Sequence, residues 1–225
     1  MQYFPTTCID GFFEDPDSIV ELAKNKAIWQ PSDDGSWPGV RSQPLHELDN
    51  DIYTWIMNKY LSAFFSEQDK QYVSWRSTSV FQKIPVRQEE HWQEGWVHTD
   101  YPDVHTFIIY LTPGASEQAG TSLYTEKDAF ASPNFSKIKK AVYLGEIPPS
   151  EGKVWREKSN DQFSVDVTFG NKYNRCIGFD SSLWHGVKNF DTGTQDRLTL
   201  ITFFQQINCG SFPLQRIRSN IMSRD

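Results

Sequence analysis

From Val73 onward the hydrophobic period of the chain changes, and this change restricts the fold more than any other feature. Runs rich in β-branched and aromatic residues follow one another at 73–84 (VSWRSTSVFQKI), 94–99, 105–112 (HTFIIYLT), 119–125 (GTSLYTE), 174–180 (NRCIGFD), 184–188 and 197–206 (RLTLITFFQQ). Each run is short and bounded by Pro, Gly, Asp or Ser, which is the pattern of strands joined by turns. Many such strands in one chain predict a mainly β domain, as a sandwich, barrel or jelly roll. A length of 225 residues suits one such domain with decorations.

Before Val73 the pattern is helical. Residues 1–72 open with a short strand, then Asp15-Pro16 supplies an N-cap and a helix-compatible Pro, with Ile19, Val20, Leu22, Ala23 and Ala27 at helical spacing. Residues 31–45 are turn-rich and are expected to form a loop. A second helix is predicted from His46 to Phe65, with Leu48, Ile52, Trp55, Ile56 and Leu61 as its apolar stripe. Both helices are expected to cover the outside of a sheet. Residues 126–173 break the strand rhythm within the 73–206 core. They combine a short helix near 135–143, a Pro-Pro-Ser-Glu-Gly turn and a strand at 162–169, and are read as an insertion of the kind that forms lids. In 207–225 no pattern is evident.

Composition excludes several functions. A net charge of −7 argues against a protein that grips duplex nucleic acid through its phosphates. The one short basic cluster, Lys137, Lys139 and Lys140, is expected on a solvated surface. No apolar run approaches the length of a membrane span, and the N-terminal sequence lacks the regions of a signal peptide, so a cytoplasmic location is expected. Cys8, Cys176 and Cys209 are odd in number and widely spaced, which favours neither a disulfide framework nor a thiolate metal site.

Chemistry concentrates on the histidines. His98-Thr99-Asp100 places an imidazole and a carboxylate two residues apart, on one face if the segment is extended. Alone, so short a motif carries little weight. Downstream, however, His185 closes the β-rich run CIGFDSSLWH. Two His and one carboxylate form the facial set that holds Fe(II) and leaves positions open for other ligands. Arg197 heads the strand RLTLITFF, where alternation puts Arg197, Thr199, Ile201 and Phe203 on one face. A guanidinium among buried neighbours needs a partner. A dicarboxylate ligand would supply one, with Thr199 adding a hydroxyl; Asp196 or Asp191 would supply another.

The segments W-V-H-T-D, F-I-I-Y-L-T-P, A-G-T-S-L-Y, N-R-C-I-G-F-D-S-S-L-W-H-G-V and R-L-T-L-I-T-F-F together resemble the core of the 2-oxoglutarate/Fe(II)-dependent dioxygenases, most nearly the prolyl-4-hydroxylase-like branch. The resemblance spans about 75–206 and implies a double-stranded β-helix, or jelly roll, with supporting N-terminal helices. It implies Fe(II) on His98, Asp100 and His185, and 2-oxoglutarate with its distal carboxylate on Arg197 and Tyr110 nearby. It further implies O₂ as oxidant, ascorbate as a candidate reductant, and hydroxylation of a C–H bond with release of succinate and CO₂. The first guess for the prime substrate is a peptidyl proline; another residue, a small metabolite or a nucleobase remain open.

Two features depart from the family pattern. Ile84 stands where relatives carry a Tyr before a Pro, leaving Gln82 to replace that contact, and A-G-T-S-L-Y has one Gly where many relatives have two. Among the remaining residues, His105 falls opposite Tyr110 and is expected to pack, and His46 to have no chemical role. His91 is placed at the site mouth, and Trp96 and Trp184 are read as packing beside the ligands. Arg41, in W-P-G-V-R-S, is a loop cation within reach of a substrate in one reading, and is expected on a solvated surface in the favoured one. Two rival readings share the fold: a cupin-like metalloenzyme without 2-oxoglutarate, which leaves Arg197 without a role, and a non-catalytic binding module.

Overall fold

The computed structural model describes residues 2–86, 94–127, 135–193 and 195–222, with side chains through 219. The chain opens with β1 (Thr7–Asp10) and α1 (Pro16–Lys26). Asp15 caps α1 by accepting from the Ser18 amide, with Pro16 at the first helical position. Two short strands follow, β2 (Gln30–Pro31) and β3 (Val40–Arg41), where a loop is expected from sequence. The predicted helix 46–65 is in fact α2 (Leu45–Leu48) and α3 (Asn50–Leu61), with α4 (Glu67–Lys70) after it. The break falls at Asp49, whose extended backbone ends α2 and whose carboxylate caps α3 through the Ile52 amide.

Next come β4 (Ser74–Ile84), β5 (His105–Tyr110), β6 (Thr121–Glu126), α5 (Ser136–Tyr143), α6 (Pro149–Asn160), β7 (Phe163–Phe169), β8 (Arg175–Asp180), β9 (Trp184–Val187), β10 (Arg197–Asn208) and α7 (Pro213–Met222). Three expectations are corrected here. The Pro-Pro-Ser-Glu-Gly segment begins α6 instead of turning, because Pro149 sits in the first helical turn, where its missing N–H is not needed. Residues 94–99 form no strand, only a single bridge at His98. The tail, patternless in sequence, carries α7.

Seven strands form one antiparallel sheet in the order β1-β8-β5-β10-β4-β3-β2, and three form a second in the order β7-β6-β9. This mainly antiparallel two-sheet arrangement is consistent with a jelly roll. Strand β7, assigned from sequence to the insertion, is the outer strand of the second sheet. Among the described residues no helix is long and apolar enough to cross a membrane.

The central strands have two different faces. Phe107, Ile109, Leu200 and Phe204 pack against Ile19, Ala23, Ile56, Met57, Tyr60 and Leu61 of α1 and α3, forming the larger core. On the other face Ile108, Tyr110, Ile177, Phe179 and Ile201 meet Leu123 of the second sheet. His105 lies in the helix-side core, as its position opposite Tyr110 predicts. Its Nε2 is 2.5 Å from the Tyr60 hydroxyl, and burial pushes its pKa down to about 3. Gly178 permits this pairing, since a Cβ there would fall 1.7 Å from the Tyr60 oxygen.

A neutral buried His105 makes the fold acid-sensitive. Between about pH 6.5 and 3 the unfolded chain binds a proton at this residue and the folded chain does not, so stability falls as pH falls through that window. The slope is about 1.4 kcal/mol per pH unit. His105→Gln should flatten the dependence of urea-unfolding free energy on pH by up to that amount; an unchanged slope would clear His105 as its source.

Candidate metal centre and its cavity

The two sheets meet where His98 and His185 exchange backbone hydrogen bonds, of 2.9 Å from the His98 amide and 2.8 Å from the His185 amide. Each imidazole Nδ1 lies against a backbone carbonyl, Trp96 O at 2.8 Å and Leu183 O at 3.0 Å. A carbonyl can only accept, so each Nδ1 carries the proton and each Nε2 presents a lone pair. Those atoms face Asp100, with His98 Nε2 3.7 Å from Oδ1 and His185 Nε2 3.3 Å from Oδ2. The ligating atoms of the three residues all lie within 4.8 Å of one another, so the group could hold a metal ion.

The surroundings hold each member in place. The Asp100 amide donates to Ser181 O at 2.9 Å, and the Thr106 hydroxyl donates to Asp100 Oδ2 at 2.8 Å while lying 2.9 Å from the Ser181 hydroxyl. Burial alone would raise the Asp100 pKa, but His185, His98 and the Thr106 hydroxyl hold it well below the usual carboxylate range. Burial, with Lys139 and His185, pushes His98 well below its ordinary value. Asp100 is thus a carboxylate set between two imidazoles whose Nε2 atoms face it. On the far side, Asn160 of α6 accepts from the Val97 amide at 2.9 Å and donates to Gly95 O at 2.9 Å. Asn160, inside the 126–173 insertion read from sequence as lid-like, therefore fastens the approach to His98. Trp96 is buried and Trp184 packs on Phe163, both as expected; His91 lies outside the described residues.

A cavity of about 560 Å³ opens beside the group, and Arg197 lies in its wall. The Arg197 Nε donates to Ala119 O at 3.1 Å, its Nη2 has no partner, and only 3% of the residue is exposed. Neither aspartate proposed as its partner is used. Asp196 accepts from the Val86 amide and Asp191 from the Gly193 amide. Tyr110 and Thr199 are cross-strand neighbours on the same face. The Tyr110 hydroxyl donates to Thr121 at 2.9 Å, and burial pushes its pKa up to about 12, so it gives Arg197 no negative charge. The buried Thr199 hydroxyl has no partner.

Arg41 and Lys139 are corrections. Both line the cavity instead of lying in solvent. Strand β3 pairs with β4 and so turns Arg41 inward; its guanidinium lies 4.3 Å from the Trp37 ring and 5.3 Å from the Phe203 ring. Gln82 accepts from Arg41 Nη2 at 3.4 Å and donates to Pro38 O at 2.9 Å, which fixes the side chain. Burial lowers the Arg41 pKa to about 10 and that of Lys139 to about 8, each opposed by the charge of Asp100. In sequence the only trace of this was a cation inside a Gly/Pro-rich loop next to a Trp.

The sequence matches the family of unknown function DUF6445 over residues 2–204. The chain belongs to that family. No curated protein sequence matches it. Solved structures that share its fold include the following three. A prolyl hydroxylase from Trichoplax adhaerens, in complex with a hypoxia inducible factor oxygen degradation domain peptide, has a TM-score of 0.54 at 12% identity, covering 93% of this chain and 84% of that one. HygX from Streptomyces hygroscopicus, with nickel and 2-oxoglutarate bound, has a TM-score of 0.52 at 12% identity, covering 92% and 84%. SnoN, a non-haem α-ketoglutarate-dependent epimerase from nogalamycin biosynthesis, has a TM-score of 0.50 at 10% identity, covering 88% and 76%. The structural neighbours of this DUF6445 chain are 2-oxoglutarate-dependent oxygenases and epimerases.

Thr106 was not singled out from the sequence, yet it orients the central carboxylate. Thr106→Val should weaken Co(II) binding about 10-fold, the lower end for losing a partner of a metal ligand. Titration of the visible cobalt bands measures this, and wild-type affinity would remove Thr106 from the site.

Proposed function

We propose that this DUF6445 protein is a 2-oxoglutarate- and Fe(II)-dependent oxygenase built on a double-stranded β-helix. In this reading His98, Asp100 and His185 hold the iron, and Arg197 receives the distal carboxylate of 2-oxoglutarate. The observation that carries the reading is the unanswered charge of Arg197. Among the described residues no carboxylate pairs with it, its Nη2 lacks any acceptor, and the Thr199 hydroxyl on the same strand face is also unpartnered. Burying a guanidinium without an anion is strongly unfavourable. A ligand carboxylate answers both groups at once through a charge-assisted pair and a hydroxyl bond.

The donor set fits the metal equally well. Two imidazoles and one carboxylate suit Fe(II), and three protein ligands leave room for a chelating co-substrate. When bound, the iron and 2-oxoglutarate supply dioxygen activation coupled to release of succinate and CO₂, for oxygenation of a substrate C–H bond. The chain's own residues position the reactants. The backbone carbonyls of Trp96 and Leu183 accept from each Nδ1 and so turn each Nε2 toward Asp100, Thr106 aims Asp100, and Tyr110 and Phe190 flank the Arg197 guanidinium. A cupin-like enzyme without 2-oxoglutarate would leave Arg197 unexplained.

Two measurements test this reading. His98→Ala, Asp100→Ala and His185→Ala should each abolish Fe(II) binding in anaerobic calorimetry, because two remaining ligands compete poorly with water for a labile ion; wild-type binding in all three would remove the assignment. Arg197→Ala should weaken 2-oxoglutarate binding by about 2–5 kcal/mol while Fe(II) still binds. Arg197→Lys should restore only part of that loss, since an ammonium cannot reproduce the planar fork. If the visible charge-transfer band of the chelate titrates identically in wild type and Arg197→Ala, Arg197 does not hold the co-substrate; if no band forms in wild type, the cupin-like reading takes its place.

A further inference from the structure

Arg197 is not the only cation in the cavity that lacks an anion. Arg41 and Lys139 also line it, and among the described residues neither forms an ion pair. The Arg41 Nε and the indole N–H of Trp37, stacked on it, are both buried without acceptors. The one carboxylate of the metal group that offsets both cations is Asp100, and a metal bound there would take up that charge. This leaves an acceptor-poor wall of two cations and an indole donor in a chain whose net charge is −7.

The arrangement is built, not incidental. Arg41 is held in plane between the rings of Trp37 and Phe203, and Gln82 fixes its orientation. An arginine ordered in this way loses little side-chain freedom when it binds an oxyanion. Lys139 comes from the opposite wall, on α5. The two walls are bolted together. Lys140 pairs with Asp34 at 2.6 Å, and at Gly35 (φ +68°) a Cβ would fall 2.4 Å from the Lys140 carbonyl oxygen, so the 32–38 loop lies directly on α5. The 32–38 loop and α5 therefore close the cavity on the side that carries Arg41 and Lys139, which favours a compact ligand over a polypeptide passing between them.

We propose that the prime substrate is a small molecule bearing a carboxylate or phosphate, and that Arg41 and Lys139 receive that anion while Arg197 holds the co-substrate. This rests on the oxygenase reading and replaces peptidyl proline as the expected substrate class. The cavity then has two anion stations, one for each reactant, with the metal group beside both. The substrate anion binds away from the iron, so the carbon to be oxidised is presented by a tethered, oriented molecule.

Inorganic phosphate is the probe, titrated into Co(II)-loaded protein, where the metal takes up the Asp100 charge, and followed by tryptophan fluorescence and thermal shift. Phosphate should bind saturably to wild type, about 10-fold more weakly to Arg41→Gln and to Lys139→Gln, and within about two-fold of wild type to Arg197→Gln. 2-Oxoglutarate affinity, measured separately with Fe(II) under anaerobic conditions, should stay within about two-fold of wild type in Arg41→Gln and Lys139→Gln and fall in Arg197→Gln. If Arg41→Gln fails to fold, Lys139→Gln and Arg41→Lys carry the test. Loss of phosphate binding only in Arg197→Gln, or no loss in any variant, overturns the proposal. Loss of 2-oxoglutarate binding in Arg41→Gln overturns it too, by moving Arg41 to the co-substrate. An acetylated Gly-Asp-Gly amide that binds about 10-fold more tightly than phosphate, in an Arg41-dependent way, would assign the site to polypeptides instead. Failure of wild type to bind 2-oxoglutarate sinks the oxygenase reading and the substrate role with it, whereas the phosphate titration still reports on the anion site.

Discussion

Everything in this protein hangs on the alternation of β10 between two unlike environments. Leu200 and Phe204 face the helices α1 and α3, deep in the larger core, and that burial locks the strand's register. With register locked, Arg197, Thr199, Ile201 and Phe203 must face the interior between the sheets. A slip of one residue would exchange the faces, placing the guanidinium among Phe4, Tyr60 and Phe107 and exposing leucines to the cavity. The helix-side core thus decides, at a distance, which groups the cavity contains.

The metal group depends on a second constraint of the same kind. His98 and His185 come from segments far apart in sequence, and reciprocal backbone bonds bring them side by side. Those bonds alone would not orient the rings. The Nδ1 contacts to Trp96 O and Leu183 O do so, by committing each imidazole to one tautomer. Thr106 and Ser181 complete the frame from the main sheet, and Asn160 braces it from α6. Residues from both sheets and a helix therefore converge on three side chains, so the position of each is fixed by the fold around it.

Electrostatics then distinguishes the two sides of the cavity. Asp100 sits among imidazoles that leave it charged, whereas Arg41, Lys139 and Arg197 lie in apolar or aromatic surroundings that disfavour their charge. Such cations persist only because the surrounding fold is stable enough to hold them unpaired. The cost is regained when anions enter, which makes ligand binding and local stability two aspects of one balance.

Much of this was legible in the chain itself. The β-rich runs specified most of the longer strands, Asp15-Pro16 specified the start of α1, and the alternation of RLTLITFF put Arg197 and Thr199 on one face. His98, Asp100 and His185 could be chosen because chemistry limits which residues hold iron, and so few histidines were available. What the sequence could not determine is who faces whom across the fold. The two-residue strand at Val40–Arg41 has no periodicity to detect, and only its pairing with β4 turns Arg41 inward. Lys139 reads as one cation in a basic run, until α5 lies against the 32–38 loop and selects it from Lys137 and Lys140. Phe163–Phe169 alternates like a strand, but only its pairing with β6 makes it part of the second sheet. Local pattern settles secondary structure and the faces of long strands because those depend on neighbours in sequence. The cavity's second set of charges depends on contacts between segments about a hundred residues apart, such as Asp34 with Lys140, and these exist only once the chain has folded.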